Sequence, residues 1–256
     1  MPSSVSSNNV ETLIRQLEQR DRGALARLLT LAATGRLSED SVKAVRQLAK
    51  TATPIIAFTG GGGVGKSSLL GALSVHFANR GECVGVLACD PESAVTGGAL
   101  LGDRCRIVGD GDSEQIFVRS LSTPFGRQGV AEHIEVMLDV MKAFGFDRIF
   151  VETVGAGQGD VAIRWVADIV VLVLQPQTGD ELQWEKAGIL EVADVVVVNK
   201  ADLPGSDRTV ADVAGQLRLS AGEPVPVVKT SIARREGLEE LCRVLDSVSV
   251  SRKQKK

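Results

Sequence analysis

The sequence is poor in residues that bind transition metals. Its 256 residues include two histidines, His76 and His133, and four cysteines, Cys83, Cys89, Cys105 and Cys242, none in a Cys-x-x-Cys pair. Buried, reduced thiols are expected, with no dedicated transition-metal site. Long hydrophobic runs are missing too. The stretch "IVVLVL" has the length of a strand, not of a membrane-spanning helix. The opening "MPSSVSSNNV" has no apolar signal core. A cytoplasmic protein is the expectation. Charge of one sign is not in excess: 29 basic against 32 acidic residues give a net charge of -3. Neither a nucleic acid nor a membrane surface is called for as partner. Internal repeats and low-complexity linkers are absent as well.

What is present is ordinary globular composition, 44% hydrophobic and 24% charged, long enough for one large domain with an appendage. From Val10 to Lys50, apolar residues recur at helical spacing (Leu13 and Leu17; Leu25, Leu28 and Leu29; Val42, Val45 and Leu48), with Ser38 to Ser41 as a helix start. Two or three short amphipathic helices follow, able to pack on the main domain or on a partner. After Pro54, strands and helices alternate. Strands are predicted from Pro54, Cys83, Gln115, Arg148, Asp168, Asp194 and Val225. Helices are predicted over 66–79, 128–144, 160–166, 181–190, 207–220 and 238–247. The strands are nearly continuous β-branched runs, the pattern of a sheet buried on both faces. The expectation is an α/β fold: a P-loop NTPase with a doubly wound, mostly parallel sheet. It divides into an N-terminal helical extension (1–52), the main domain (53–248) and a basic, solvated tail (249–256).

The segment "FTGGGGVGKSSLL" contains Gly60-x-x-x-x-Gly65-Lys66-Ser67 between an apolar strand and a helix. That is the context of a phosphate-binding loop. Backbone N–H groups of Gly61, Gly62, Gly63, Val64 and Gly65 can turn toward phosphate oxygens, and the helix N-terminus through Ser68 adds its dipole. Lys66 brings a full charge to the outer phosphates, and Ser67 offers a hydroxyl to Mg2+.

A second signal, "VVVVNKAD", places Asn199, Lys200 and Asp202 at the end of a buried strand. Asp202 can accept hydrogen bonds from guanine N1–H and the N2 amino group, which adenine cannot supply. Asn199 is expected to bond the base and the Lys200 stem to cover its face. Thr230 and Ser231, after the last strand, add a backbone contact. In "RIFVETVG", Glu152 ends a strand and Gly155 follows. Glu152 is read as a carboxylate on the Mg2+ side and Gly155 as a γ-phosphate sensor. Asp90, closing "VGVLACD", is a comparable acid.

These motifs stand with "CDPESAVTGGALLGDR", "VETVGAGQGD" and "TGDELQWEKAGILEVADVVVVNKAD". In that order they resemble the MeaB/ArgK family of GTPases, closely over 54–202, and are also similar to the GTPase domain of fused isobutyryl-CoA mutase. The resemblance implies a GTP-hydrolysing chaperone that binds an adenosylcobalamin-dependent acyl-CoA mutase, such as methylmalonyl-CoA mutase. Such a chaperone gates cofactor loading and protects the mutase. Adenosylcobalamin would be met only through that partner. The resemblance adds Asp103 to Asp90 and Glu152 as acids around Mg2+, and makes 90–104, 152–160 and 175–191 three switch segments. Within the third, Trp184 is read either as an anchor or as a core residue.

The sequence departs from the family at "STPFGRQGVAEH" and in lacking a further helical arm used for dimerisation, so a homodimer remains open. Three other functions compete with this one. A nickel-delivery GTPase needs a Cys/His cluster where this chain has scattered single residues. An ATPase or kinase is opposed by Asp202. A binding module without turnover keeps the nucleotide site.

Overall fold

The structure is a computed structural model, and it describes residues 7–91, 114–123, 133–153, 163–176, 189–218 and 224–253. Seven strands are described: β1 (Ile55–Thr59), β2 (Val84–Pro91), β3 (Ile116–Thr123), β4 (Arg148–Glu152), β5 (Ile169–Leu174), β6 (Val195–Val198) and β7 (Val227–Lys229). They form one sheet in the order β3-β2-β4-β1-β5-β6-β7, parallel at every pairing. Strands β1, β4, β5 and β6 are buried along their whole length. Helices cover both faces, so the expected unbroken apolar runs replace alternation.

The pleat sends alternate residues to opposite layers. Ile56, Phe58 and Phe150 pack with Leu69, Leu70, Leu73 and Phe77 of α4 (Lys66–Asn79) and with Leu241 and Leu245 of the last helix. Ile55, Ala57, Ile149, Val151 and Val170 face the other way, onto Met137, Leu138 and Met141 of α5 (Ile134–Phe144). A smaller cluster joins Leu172, Leu174 and Val196 to Val213 of α7 (Ser206–Leu217). A short helix, α6 (Ile189–Val192), precedes β6.

The N-terminal pattern resolves into three helices, α1 (Ser7–Glu18), α2 (Arg22–Ala33) and α3 (Glu39–Leu48). Asp21 caps α2 by accepting from Ala24 N–H, and Ser38 caps α3 by accepting from Ser41 N–H, as expected of these residue types. Of the two docking options, the helices take the main domain. Leu13, Leu17, Leu25, Leu28, Leu29 and Val45 share one core with α5 and the sheet. Arginines fasten the edges: Arg20 to Gly145 O (3.0 Å), Arg22 to Glu114 O (2.9 Å) and Arg46 to Asp139 (2.8 Å).

Some boundaries move. The last helix, α8 (Leu238–Lys253), runs past the expected end at 247 and takes in the start of the expected tail. Ser247 and Ser249 turn their hydroxyls back onto Val244 O and Leu245 O, so neither serine stops the helix. Of the helix expected over 160–166, only the 3-10 turn Ile163–Trp165 is described. The helix expected from 128 is described from Ile134, after His133 at φ +64°. Most of the helix expected over 181–190 lies outside the described residues.

At the amino edge of the sheet, Arg148 bonds Glu82 (2.6 Å) and Asp246 (3.3 Å) and lies 3.4 Å above the centre of the Phe77 ring. It ties α4, β4 and α8 together. Burial pushes the nearby Cys242 thiol up to about 12, so it stays protonated as an inert core residue. Among the described residues, no helix is long and apolar enough to cross a membrane.

Candidate functional site

The glycine run sits where β1 gives way to α4, at the carboxyl edge of the sheet, between β4 and β5. The chain leaves β1 toward β2 on one side and leaves β4 toward β5 on the other, and the crevice at such a switch point receives ligands in open α/β sheets. The glycines are not equivalent. Gly60, Gly63 and Gly65 have φ of +140°, +75° and +93°, values that side chains rarely adopt. A Cβ on Gly60 would also collide with the carbonyl oxygen of Val173, and one on Gly65 would lie 2.5 Å from Asn199 Nδ2. At Gly62 a Cβ would meet nothing, and at Gly61 it would make only an ordinary contact with Val64. Gly60→Ala is therefore expected to lower the thermal midpoint by about 5 °C or more, and Gly62→Ala by less than about 2 °C. A thermal melt of both purified variants checks this.

Lys66 and Ser67 open α4. Lys66 is buried, and its Nζ donates to Gly60 O (2.9 Å) and Gly61 O (3.1 Å). The ammonium is thus curled over the loop's own carbonyls. Ser67 Oγ donates to Glu152 Oε1 at 2.8 Å. Glu152 is buried at the end of β4, and its register partner Phe58 places it beside β1. Two oxygen donors, one hydroxyl and one carboxylate, meet at a helix N-terminus next to the loop. This hard donor set suits Mg2+ and does not suit a soft transition metal. Ser68 is exposed on the first turn.

The second loop reaches back to the first. Asn199 is buried; its Nδ2 donates to Val64 O (2.9 Å), and its Oδ1 accepts from Thr230 Oγ (3.0 Å). Lys200, at φ +54°, donates from Nζ to Gly63 O (2.7 Å). Asn199 was expected to bond the base; as placed, its amide is turned to the phosphate loop and to Thr230. Ser231 was expected to offer its backbone. Its N–H and C=O instead pair with Glu236 (3.0 Å each), while its hydroxyl donates to Asp202 Oδ1. That bond holds the Asp202 carboxyl below its ordinary range, helped by a backbone N–H and by the nearby charges of Arg234 and Lys200. Asp202 is therefore an ionised acceptor at neutral pH.

The structure brings Lys66, Ser67 and Glu152 together on one side, and Asp202 and Ser231 on the other. Asn199 and Lys200 link the two through Val64 and Gly63. Asp90 lies on β2, two residues beyond Ala88, the register partner of Glu152; its side chain is outside the described ones. Asp103, Gly155 and Trp184 lie outside the described residues, as do most of 122–133 and of the three switch segments. Sequence reasoning missed the hydroxyl roles of Thr230 and Ser231. It also missed Gly237, at φ +76°, whose Cβ would strike Lys229 O and spoil the turn that carries Ser231. A Thr-Ser pair just after a strand, with Gly237 six residues beyond Ser231, was the available signal.

Residues 25–254 match the family model described as "Methylmalonyl Co-A mutase-associated GTPase MeaB". A protein of Pyrococcus abyssi (strain GE5 / Orsay), provisionally named a GTPase, is 40% identical over 244 residues, which cover 91% of this chain and 74% of that protein. A fused isobutyryl-CoA mutase of Cupriavidus metallidurans (strain ATCC 43123 / DSM 2839 / NBRC 102507 / CH34) is 37% identical over 224 residues, covering 84% of this chain and 20% of that one. Among solved structures, one described as an LAO/AO transport system kinase superposes with a TM-score of 0.74 at 24% identity, covering 97% of this chain and 77% of the other. Hydrogenase maturation factor HypB from Archaeoglobus fulgidus gives a TM-score of 0.58 at 19% identity, covering 86% and 98%. Both structures bear on the fold alone.

Proposed function

The chain belongs to the MeaB family of GTPases, and from that premise we propose that it is a chaperone of an adenosylcobalamin-dependent acyl-CoA mutase, controlling cofactor loading by its nucleotide state. The observation that supports the partner is the fused relative, in which a domain like this one shares a polypeptide with isobutyryl-CoA mutase. Nickel delivery has only the fold-level likeness to HypB behind it.

In this reading GTP lies across the two linked loops. Backbone N–H groups of residues 61–65 and the N-terminus of α4, including Ser68, cradle its phosphates. Lys66 Nζ moves from the carbonyls of Gly60 and Gly61 to phosphate oxygens and stabilises the charge that develops as the terminal phosphoryl group is transferred. Ser67 and Glu152 would hold Mg2+, with Asp90 and Asp103 as further acids; the ion would neutralise charge on the phosphates. Asp202 accepts from guanine N1–H and N2, and Ser231 fixes the carboxylate that does so. The Lys200 stem lies along the base while its Nζ keeps hold of Gly63. Asn199 holds Val64. Gly155 would sense the γ-phosphate, and segments 90–104, 152–160 and 175–191 would carry the change to the mutase.

The test is thermodynamic. If the GTP and GDP forms bind the mutase with different affinities, the mutase must shift GTP relative to GDP affinity by the same factor. Binding is to be measured with a non-hydrolysable GTP analogue and with GDP, and nucleotide affinity with and without mutase. A difference of about fivefold or more, reproduced in both directions, is expected. A mutase that binds neither form, and leaves nucleotide affinity unchanged, defeats the proposal and leaves the GTPase.

A further inference from the structure

The two edges of the sheet are protected unequally. Strand β7 spans three residues and ends in Lys229, whose ammonium is held by Asp207 at 2.8 Å. Strand β3, at the other edge, spans eight residues, with neither lysine nor proline among them. Short length, lysine and proline are usual means of keeping a sheet edge from pairing with another chain. The outward side of β3 follows from its register. Gln115 O accepts from Val84 N–H on β2, so Gln115, Phe117 and Arg119 turn their backbone groups toward β2. Glu114, Ile116, Val118 and Ser120 turn theirs away from the sheet.

One side chain covers the start of that edge. The Arg22 guanidinium donates to Glu114 O (2.9 Å) and to Ile116 O (2.5 Å), and lies 5.6 Å from the centre of the Phe117 ring. Its planar fork spans two acceptors in a row, which a lysine could not do. Helix physics does not explain a cation in this place. Arg22 is the first residue of α2, where the helix dipole disfavours positive charge. Beyond Arg22, the outward backbone groups of Val118 and Ser120 make no bond among the described residues.

We propose that Arg22 guards this edge: by occupying the carbonyls of Glu114 and Ile116, it stops β3 of a second copy from adding to the sheet. A second copy fits as the excluded partner because an edge strand can pair antiparallel with its own copy about a twofold axis, so that one exposed edge supplies both sides of the contact. Strand β3 holds one charged residue, Arg119, and its guanidinium is drawn onto α2 by a bond to Thr30 Oγ (3.1 Å), so little repulsion opposes the approach. With Arg22 in place, the incoming strand loses two pairing sites and meets a side chain across its path.

The test is self-association of the full chain. Arg22→Ala should show an apparent mass rising toward twice that of the wild type over about 1–100 µM in sedimentation. It should still bind GDP and melt in one transition. In the associated form, the amides of Val118 and Ser120 should exchange with solvent at least about tenfold more slowly than in the wild type. Adding Ser120→Pro should return the mass to that of the wild type, because proline removes an outward N–H and no bond to β2. Arg22→Ala with the mass of the wild type throughout this range overturns the proposal. So does association that leaves those amides unprotected or survives Ser120→Pro, since the contact then lies elsewhere. Loss of the cooperative melt overturns it too, since the chain then associates unfolded.

Discussion

Replacing Lys66 by alanine is expected to slow GTP turnover at least about a hundredfold while the protein stays folded. The size follows from removing a full positive charge aimed at the transferring phosphoryl group, in a site shaped before the substrate arrives. The folded state should survive because the loop does not depend on this side chain alone. Gly60 is packed against Val173 O, Asn199 holds Val64 O and Lys200 holds Gly63 O. The two carbonyls that Lys66 now serves belong to Gly60 and Gly61. Gly61 is partly open to solvent, so water can replace the lost donor there. Single-turnover phosphate release measures the rate, and a thermal melt reports the fold. Turnover within a few-fold of wild type in a folded variant would remove Lys66 from the chemistry.

Asp202→Asn should exchange one base for another. The ionised carboxylate can accept two bonds from guanine; an amide offers one acceptor and turns a donor toward a donor. GDP affinity is expected to fall about a hundredfold, the loss of a charge-assisted pair. Xanthosine diphosphate, with an oxygen at C2, should bind better than GDP. Ser231 can still donate to the amide oxygen, so the loop keeps its shape. The sign with pH is also fixed. The carboxyl is held below its ordinary value of 3.8, first by the Ser231 bond. It stays charged until the pH falls below that value, and wild-type guanine preference should persist from neutral pH down to about pH 5. Titration of GDP, xanthosine diphosphate and ADP into wild type and variant decides the matter. Equal wild-type affinity for ADP and GDP would contradict the assignment.

Much of this was legible because the signals are local. The strands announce themselves as β-branched runs, since both faces of a parallel sheet are covered. The phosphate loop is a spacing of glycine, lysine and serine within one turn of chain. The bracing of that loop is not local. Asn199 meets Thr230 because β6 and β7 pair with Val198 opposite Lys229, a register that no short motif encodes. The bonds of the Asn199 amide to Val64 and Thr230 are therefore not visible in the sequence. The amphipathic N-terminal helices were readable as helices, but their docking surface was not. It is set by an apolar core shared with α5 and the sheet, and by Arg20, Arg22 and Arg46 at its edges, all with partners far along the chain. The helix α8 continues past 247 because the hydroxyls of Ser247 and Ser249 bond carbonyls of the preceding turn and leave the backbone helical.

The strand order also governs what can form while the chain is being made. Strand β1, which carries the glycine loop, pairs only with β4 and β5. Strand β2 follows it in sequence yet lies beyond β4. A nascent chain that has not reached Arg148 has β1 complete and nothing to align it. The α1–α3 helices wait as well, since their core is completed by α5. Such long-range pairing closes late and slowly, leaving apolar strands exposed in the meantime. Release of β4 from the ribosome is then the event that joins the two halves of the sheet, and a truncation before Glu152 should yield an aggregating fragment, not a smaller nucleotide-binding domain.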